Sequence, residues 1–271
     1  MKIRPRRLLA SLVGIYVSVC AGLYLIQARL LYYPTRIAPA EAAAIARPGG
    51  FAALDGPDGT LLAWQRISPS GACPVHFLVA HGNGGMALDR GYLIEGLIAT
   101  PGYADACVTV IEYPGYGAAT GEPGIAAMTA RALAVYDRLA STSSRIVLIG
   151  ESLGSGIIAA VAAARPAAGI LLITPYDDLA SVAQEHYPWL PVRWLLRENL
   201  RPIDTLPAYQ GPITLIIAGA DRIIPPAHAE RLAQALPQAQ VYVVQGADHM
   251  DTYDEAQRWW PAALSRLAPA P

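Results

Sequence analysis

The stretch Arg145-Ile146-Val147-Leu148-Ile149-Gly150-Glu151-Ser152-Leu153-Gly154 decides the fold. Its first half is a short apolar run rich in β-branched residues, the composition of a strand buried on both faces. Its second half is Gly-x-Ser-x-Gly, and the small and apolar residues that follow predict a helix over 153–164. A chain that passes from strand to helix in so few residues leaves room only for glycine beside Ser152. The Ser152 hydroxyl then projects at the amino end of a helix, where free N–H groups and the helix dipole favour a developing negative charge.

The same alternation extends to either side. Apolar strands are expected at Val75–Ala80, Val108–Ile111, Ile170–Ile173, Ile213–Ala218 and Gln240–Val244. Helices are expected near Met86–Ala99, Ile125–Leu139, Ala227–Ala235 and Thr252–Leu267. Phe51–Asp55 and Leu61–Ile67 flank Gly56-Pro57-Asp58-Gly59 and read as a hairpin. Short buried strands between helices predict an α/β fold, a mostly parallel sheet with helices on both faces. Such sheets bind ligands beyond the carboxyl ends of their strands, so the chemistry belongs in the turns that follow them. Residues 176–210, rich in Pro and Trp, interrupt the alternation and predict a small cap insertion. Gly154-x-Gly156-x-x-Ala159 imitates a dinucleotide fingerprint, but it falls inside the helix instead of in the turn before it, where a pyrophosphate would bind. Close helix–sheet packing explains these glycines better.

Composition narrows the function. Of 271 residues, 54% are hydrophobic and 15% charged, against roughly 45–50% and 25% in ordinary globular chains. Leu8–Ile26 is a run of 19 residues without a charge, enough to cross a bilayer. Lys2, Arg4, Arg6 and Arg7 precede it and Tyr32 and Tyr33 follow. That pattern predicts a single span with a cytoplasmic amino terminus and an extracytoplasmic domain, periplasmic in a Gram-negative cell. A cleaved signal peptide is the rival reading, and a buried core helix a weaker one. The expected organisation is an anchor over 1–29, a connector over 30–50 and a catalytic domain over 51–271. From Glu41 onward there are 14 arginines and 21 acids, an acidic body unsuited to nucleic acid. One lysine among 20 cations, with heavy alanine and arginine use, suggests a GC-rich bacterial genome. Three cysteines exclude a four-cysteine zinc site.

A serine nucleophile needs a base, and the base an orienting acid. Of five histidines, only His249 in Gly246-Ala247-Asp248-His249 lies both downstream of Ser152 and in a turn after a strand. Asp221, in the turn after Ile213–Ala218, is the first choice of acid, with Asp177 and Asp178 in reserve. Asp248 reads as a loop-forming residue. The order Ser152, Asp221, His249 is a hydrolase order.

With these residues the chain resembles the α/β-hydrolase superfamily of serine hydrolases. It is most similar to the membrane-anchored, single-span group related to lysophospholipid lipases and protein depalmitoylases. The resemblance rests on Leu31-Tyr32-Tyr33-Pro34, His81-Gly82-Asn83-Gly84-Gly85, Tyr113-Pro114-Gly115-Tyr116-Gly117, Gly150–Gly154 and Gly246–His249. It implies an α/β-hydrolase fold and a two-step acyl transfer to water by Ser152, Asp221 and His249, with no metal and no cofactor. It also implies an oxyanion hole from the backbone N–H groups of Asn83 and Leu153. His81 is then expected to shape the loop, and Tyr116 to lie near the pocket or pack beneath that loop. In this fold the strands after Cys73 and Cys107 are neighbours, so a disulfide between the two is expected in an oxidising compartment.

The substrate is less specified. A span beside the domain points to lipid-derived esters or acylated thioesters, and Trp189 and Trp194 in the cap are candidate acyl-pocket residues. An amidase or peptidase on the same residues is the alternative, and a non-catalytic binding protein on a hydrolase scaffold is the reading from a different class.

Overall fold

A computed structural model describes residues 5–267; Lys2 and Arg4 of the predicted cationic flank lie outside the described residues. Eight strands form one sheet: β1 (Ala52–Asp55), β2 (Leu61–Arg66), β3 (His76–Ala80), β4 (Cys107–Ile111), β5 (Ile146–Glu151), β6 (Gly169–Ile173), β7 (Ile213–Ala218) and β8 (Gln240–Val244). Their spatial order is β1-β2-β4-β3-β5-β6-β7-β8. β1 and β2 are the predicted hairpin; β1–β2 and β2–β4 pair antiparallel and every other pair is parallel. Strands β3 to β7 are buried along their whole length, which is why they read as unbroken apolar runs. Edge strand β8 alternates instead, with Val241 and Val243 exposed. This is the α/β-hydrolase fold.

The described residues also form ten helices: α1 (Pro5–Leu31), α2 (Pro39–Ala46), α3 (Gly91–Ala99), α4 (Ile125–Ala140), α5 (Leu153–Ala164), α6 (Leu179–His186), α7 (Val192–Leu195), α8 (Pro202–Thr205), α9 (Pro226–Ala235) and α10 (Ala256–Leu267). Leu93 and Leu97 of α3 and Trp260 and Leu264 of α10 build the core on one face of the sheet. Met128 and Val135 of α4, Ile157 and Val161 of α5 and Leu232 of α9 build it on the other. Two predicted helices begin with a tighter 3₁₀ turn, Ala87–Arg90 before α3 and Asp251–Glu255 before α10.

α1 lies apart from this core. Among its described residues only Cys20 is buried, and Leu9 and Leu25 are 64% and 73% exposed, the reverse of a core helix. Its 27 residues extend about 40 Å at 1.5 Å per residue, beyond the ~30 Å hydrocarbon thickness. The helix is long and apolar enough to cross a membrane, as a span or as a signal sequence would. Residues 30–50, expected to be a connector, are folded against the domain. Tyr33-Pro34 pairs in parallel with Gly84-Gly85, Arg36 bridges Gly117, and α2 packs on the core.

Glu112, directly after β4, braces the carboxyl end of the sheet. Its buried carboxylate accepts the Trp64 indole N–H at 3.2 Å and the Ala87 backbone N–H at 3.1 Å. Burial pushes its pKa up to about 7, against the countervailing pull of those two donors. An acid with a raised folded pKa makes stability fall as pH rises from its unfolded value, 4.5, to the folded one. We expect Glu112→Gln to cost roughly 1 kcal/mol for one lost hydrogen bond. It should also flatten the decline in thermal stability between pH 4.5 and 7, as read by melting curves across that range; an unchanged slope would refute the assignment.

Candidate active site

The nucleophile turn is tighter than the sequence suggests. β5 runs through Gly150 and Glu151 instead of stopping at Ile149, and α5 starts at Leu153. Ser152 alone makes the turn, with φ 51° and ψ −117°, a conformation that a non-glycine residue holds only when its surroundings over-determine it. The Ser152 N–H donates to the Ile173 carbonyl of β6 at 2.9 Å, and the Ser152 carbonyl accepts from the Ser155 N–H at 2.9 Å. A Cβ on Gly150 would stand 2.6 Å from the Ser155 Cα, and one on Gly154 would overlap the Ala80 carbonyl of β3. Both glycines are therefore required by close approach.

Ser152, His249 and Asp221 come together from the turns after β5, β8 and β7. The Ser152 hydroxyl lies 3.0 Å from His249 Nε2, and His249 Nδ1 lies 2.6 Å from Asp221 Oδ2. The other Asp221 oxygen accepts the N–H groups of Ile223 and Ile224, each at 2.8 Å. A carboxylate anchored in this way holds the histidine proton on Nδ1, which leaves Nε2 free to accept from the serine. All three side chains are buried, Ser152 the least at 9% exposure. A buried relay in low dielectric keeps its geometry without competition from water.

The reserve acids do other work. Asp177 accepts from His228 Nδ1 and Arg231 Nε, both at 2.6 Å, and so ties the start of the cap to α9. Asp178 caps α6 through the Ala180 N–H at 3.1 Å. Asp248 accepts the N–H groups of His249 and Arg222 and an Arg222 guanidinium contact at 2.9 Å; it joins the Asp221 and His249 loops without touching the imidazole. His76 is buried within β3, where burial lowers its pKa to about 4. His186 ends α6, and its Nε2–H donates to the Ile223 carbonyl of the turn after β7, 2.8 Å away.

The turn after β3 lies against the serine. A Cβ on Gly82 would stand 3.5 Å from the Ser152 Cβ, so Asn83 follows at the edge of the nucleophile. Leu153 is the first residue of α5, where backbone N–H groups have no acceptor inside the helix. His81 is fully buried, packed on the rings of Tyr113 and Tyr116 with centroids 4.2 and 5.6 Å away. Burial, then the Arg90 charge, lower its pKa to about 3, so it is a neutral part of the loop. Tyr116 is buried beneath the turn, and its hydroxyl donates to Asn83 Oδ1 at 3.0 Å. Asn83 Nδ2 in turn donates to the Leu31 carbonyl at the end of α1.

Sequence reasoning missed the support behind the nucleophile. Glu151 is buried, with Arg90 Nε at 3.2 Å from one oxygen and the hydroxyls of Tyr92 and Tyr253 at 2.9 and 2.8 Å from the other. Arg90 also donates to the Gly84 carbonyl at 2.9 Å, which joins the nucleophile strand to the turn after β3. The available signal was Glu151 itself, because a carboxylate beside a buried nucleophile must be paired. At the opposite end of the sheet Cys73 and Cys107 form a disulfide, with Cα atoms 5.4 Å apart. Of the cap tryptophans, Trp189 faces α1 across an apolar groove, whereas Trp194 is 87% exposed and lines no part of it.

Comparison with known proteins bears on the family and the fold. Residues 129–268 match the family described as serine hydrolase. An uncharacterised protein of Mycobacterium tuberculosis is 32% identical over 249 residues, 88% of this chain and 87% of its own length. Among solved structures, an esterase of Pyrococcus furiosus superposes with a TM-score of 0.63 at 16% identity, over 87% of this chain and 98% of the esterase. A puromycin-hydrolysing peptidase of Mycobacterium tuberculosis superposes with a TM-score of 0.62 at 19% identity over 81% of this chain. This chain spans only 39% of that peptidase. The two structures share the fold, while the family match goes further: this chain belongs to the serine hydrolase family, on an α/β-hydrolase fold.

Proposed function

We propose that this chain is a membrane-anchored acyl hydrolase that cleaves long-chain esters or thioesters through an acyl-enzyme on Ser152. The observation that carries the reading is the continuous relay from Ser152 Oγ through His249 to Asp221, at 3.0 and 2.6 Å. In the first step His249 takes the serine proton as Oγ attacks the acyl carbonyl, and returns it to the departing alcohol or thiol. In the second, water attacks the acyl-enzyme with the same base. Asp221 holds the imidazole tautomer and stabilises its cationic form. The N–H groups of Asn83 and Leu153 receive the oxyanion, each contributing about 3–4 kcal/mol to the transition state.

The preference for acyl substrates is supported by α1 and by the exposed aromatics Tyr187, Trp189 and Trp194 of the cap. With Arg6 and Arg7 ahead of the span, the positive-inside bias puts the amino terminus in the cytoplasm and the active site across the membrane. Protease added to spheroplasts should therefore degrade the domain but spare it in intact cells; protection in both would reverse the orientation. The acidic body gives nucleic acid no basic face.

Ser152→Ala should fold with an unchanged melting profile, lose labelling by a fluorophosphonate, and lose ester turnover by about 10⁴-fold or more. Retained labelling would remove Ser152 as nucleophile. Asp221→Asn should lower kcat by roughly 10³–10⁴-fold. Asp177→Asn should change kcat less than about tenfold, but lower the melting temperature because a buried ion pair is weakened. Steady-state kinetics beside calorimetry on both variants separate the two carboxylates, and equal losses of kcat would refute the distinction.

A further inference from the structure

We propose that α1 is more than a tether: with the cap it forms the acyl-chain site, filled sideways from the bilayer. The inference rests on the acyl-hydrolase reading above and names where the chain of that substrate lies. The cap runs along α1 instead of standing clear of it. The Tyr16 hydroxyl donates to the Trp189 carbonyl at 2.8 Å, and Gln27 donates to the Leu195 carbonyl at 3.1 Å and accepts the Arg197 N–H at 2.9 Å. The Arg197 guanidinium lies over the Tyr24 ring at 5.0 Å, and the Tyr32 hydroxyl donates to Glu198 at 2.6 Å. Between these contacts the two elements leave a groove of about 250 Å³. Leu23, Leu30 and Leu31 of α1 face Ala183, Trp189 and Leu195 of the cap across it.

Three observations select the occupant. The first is depth. On α1 the groove begins at Leu23, five residues before Ala28, the last uncharged residue ahead of Arg29, and so about 7.5 Å inside the end of the run at 1.5 Å per residue. The outer end of the groove is therefore at the level of lipid chains instead of water. The second is the cap surface beside it. Tyr187, Trp189 and Trp194 are 53%, 59% and 87% exposed, an aromatic cluster suited to the membrane interface. The third is where the groove leads. At its inner end the Leu31 carbonyl accepts from the Asn83 side chain, and Tyr33 pairs with Gly84. The groove thus ends on two residues, Leu31 and Tyr33, that are bonded to the turn lying against Ser152. Its lining is mainly aliphatic and aromatic and holds no charged residue, which suits an alkyl chain and leaves a charged headgroup without an ionic partner. The occupant is a single acyl chain of an outer-leaflet ester or thioester, drawn in with its carbonyl towards Ser152.

The test uses the full chain in phosphatidylcholine vesicles, with nitrophenyl acetate, octanoate and palmitate as substrates and ethyl and hexadecyl fluorophosphonates as probes. Ala183→Trp fills the groove, and Leu195→Gln makes its wall polar; both positions are partly exposed. The ratio of palmitate to acetate kcat/KM should fall at least tenfold in each variant, and the labelling ratio of the hexadecyl to the ethyl probe should fall with it. Calorimetry checks that each variant folds, and two variants guard against one that does not. Ratios unchanged in a folded variant, with acetate turnover still dependent on Ser152, would overturn the groove and leave the hydrolase reading intact. A wild-type chain that neither labels nor hydrolyses any of the esters would overturn the hydrolase reading and the groove together. Variants that alter the oligomer in detergent but not chain-length preference would mark a contact between copies and overturn the acyl site.

Discussion

The site depends on one tight crossing: α5 leaves β5 so abruptly that its first turn presses on the backbone of β3. Gly154 lies against the Ala80 carbonyl and Gly150 against Ser155, with no room for a side chain at either position. Ser152 is left at φ 51°. That strain is held by buried neighbours on both sides, the Ile173 carbonyl and the first turn of α5. Because β3, β5 and β6 are adjacent, the same crossing brings the turn after β3 beside the serine and aims the hydroxyl towards the ends of β7 and β8.

Around this point the molecule spends its buried polar groups on position. Asp221 uses one oxygen on His249 and the other on two backbone N–H groups. Glu151 is neutralised by Arg90, and Arg90 also grips Gly84. Asn83 connects Tyr116 beneath the turn with Leu31 above it. These contacts compensate charges and polar groups that would otherwise be costly to bury, and those of Arg90 and Asn83 also hold the turn after β3 beside the nucleophile. The end of α1 enters this network directly, so the apolar helix and the reaction centre are mechanically continuous.

Much of this was legible in the residues. Gly150–Gly154 could follow a buried strand in only one geometry, and the position of His249 after the last strand left little choice of base. Strands β3 to β7 were legible because burial on both faces makes them continuous and apolar, and β1 and β2 because a turn sequence separates them. The reserve acids Asp177 and Asp178 could not be set aside from sequence, because strand-end carboxylates look alike until their partners are seen. Asp177 faces His228 and Arg231, 51 and 54 residues away. The role of residues 30–50 was hidden for the same reason: a two-residue ladder such as Tyr33-Pro34 on Gly84-Gly85 has no periodicity to read.

What the sequence by itself determined is whatever a local period or a local steric limit encodes: the apolar helix, the buried strands, the glycine-bound turn and the identity of its nucleophile. Only the tertiary structure decided which carboxylate meets His249, that Glu151 is held by Arg90, Tyr92 and Tyr253, and that the cap lies along α1. Those outcomes depend on side chains distant in sequence meeting in a low-dielectric interior, where an unpaired charge or hydrogen-bonding group is expensive, and no local pattern records which partner will be there.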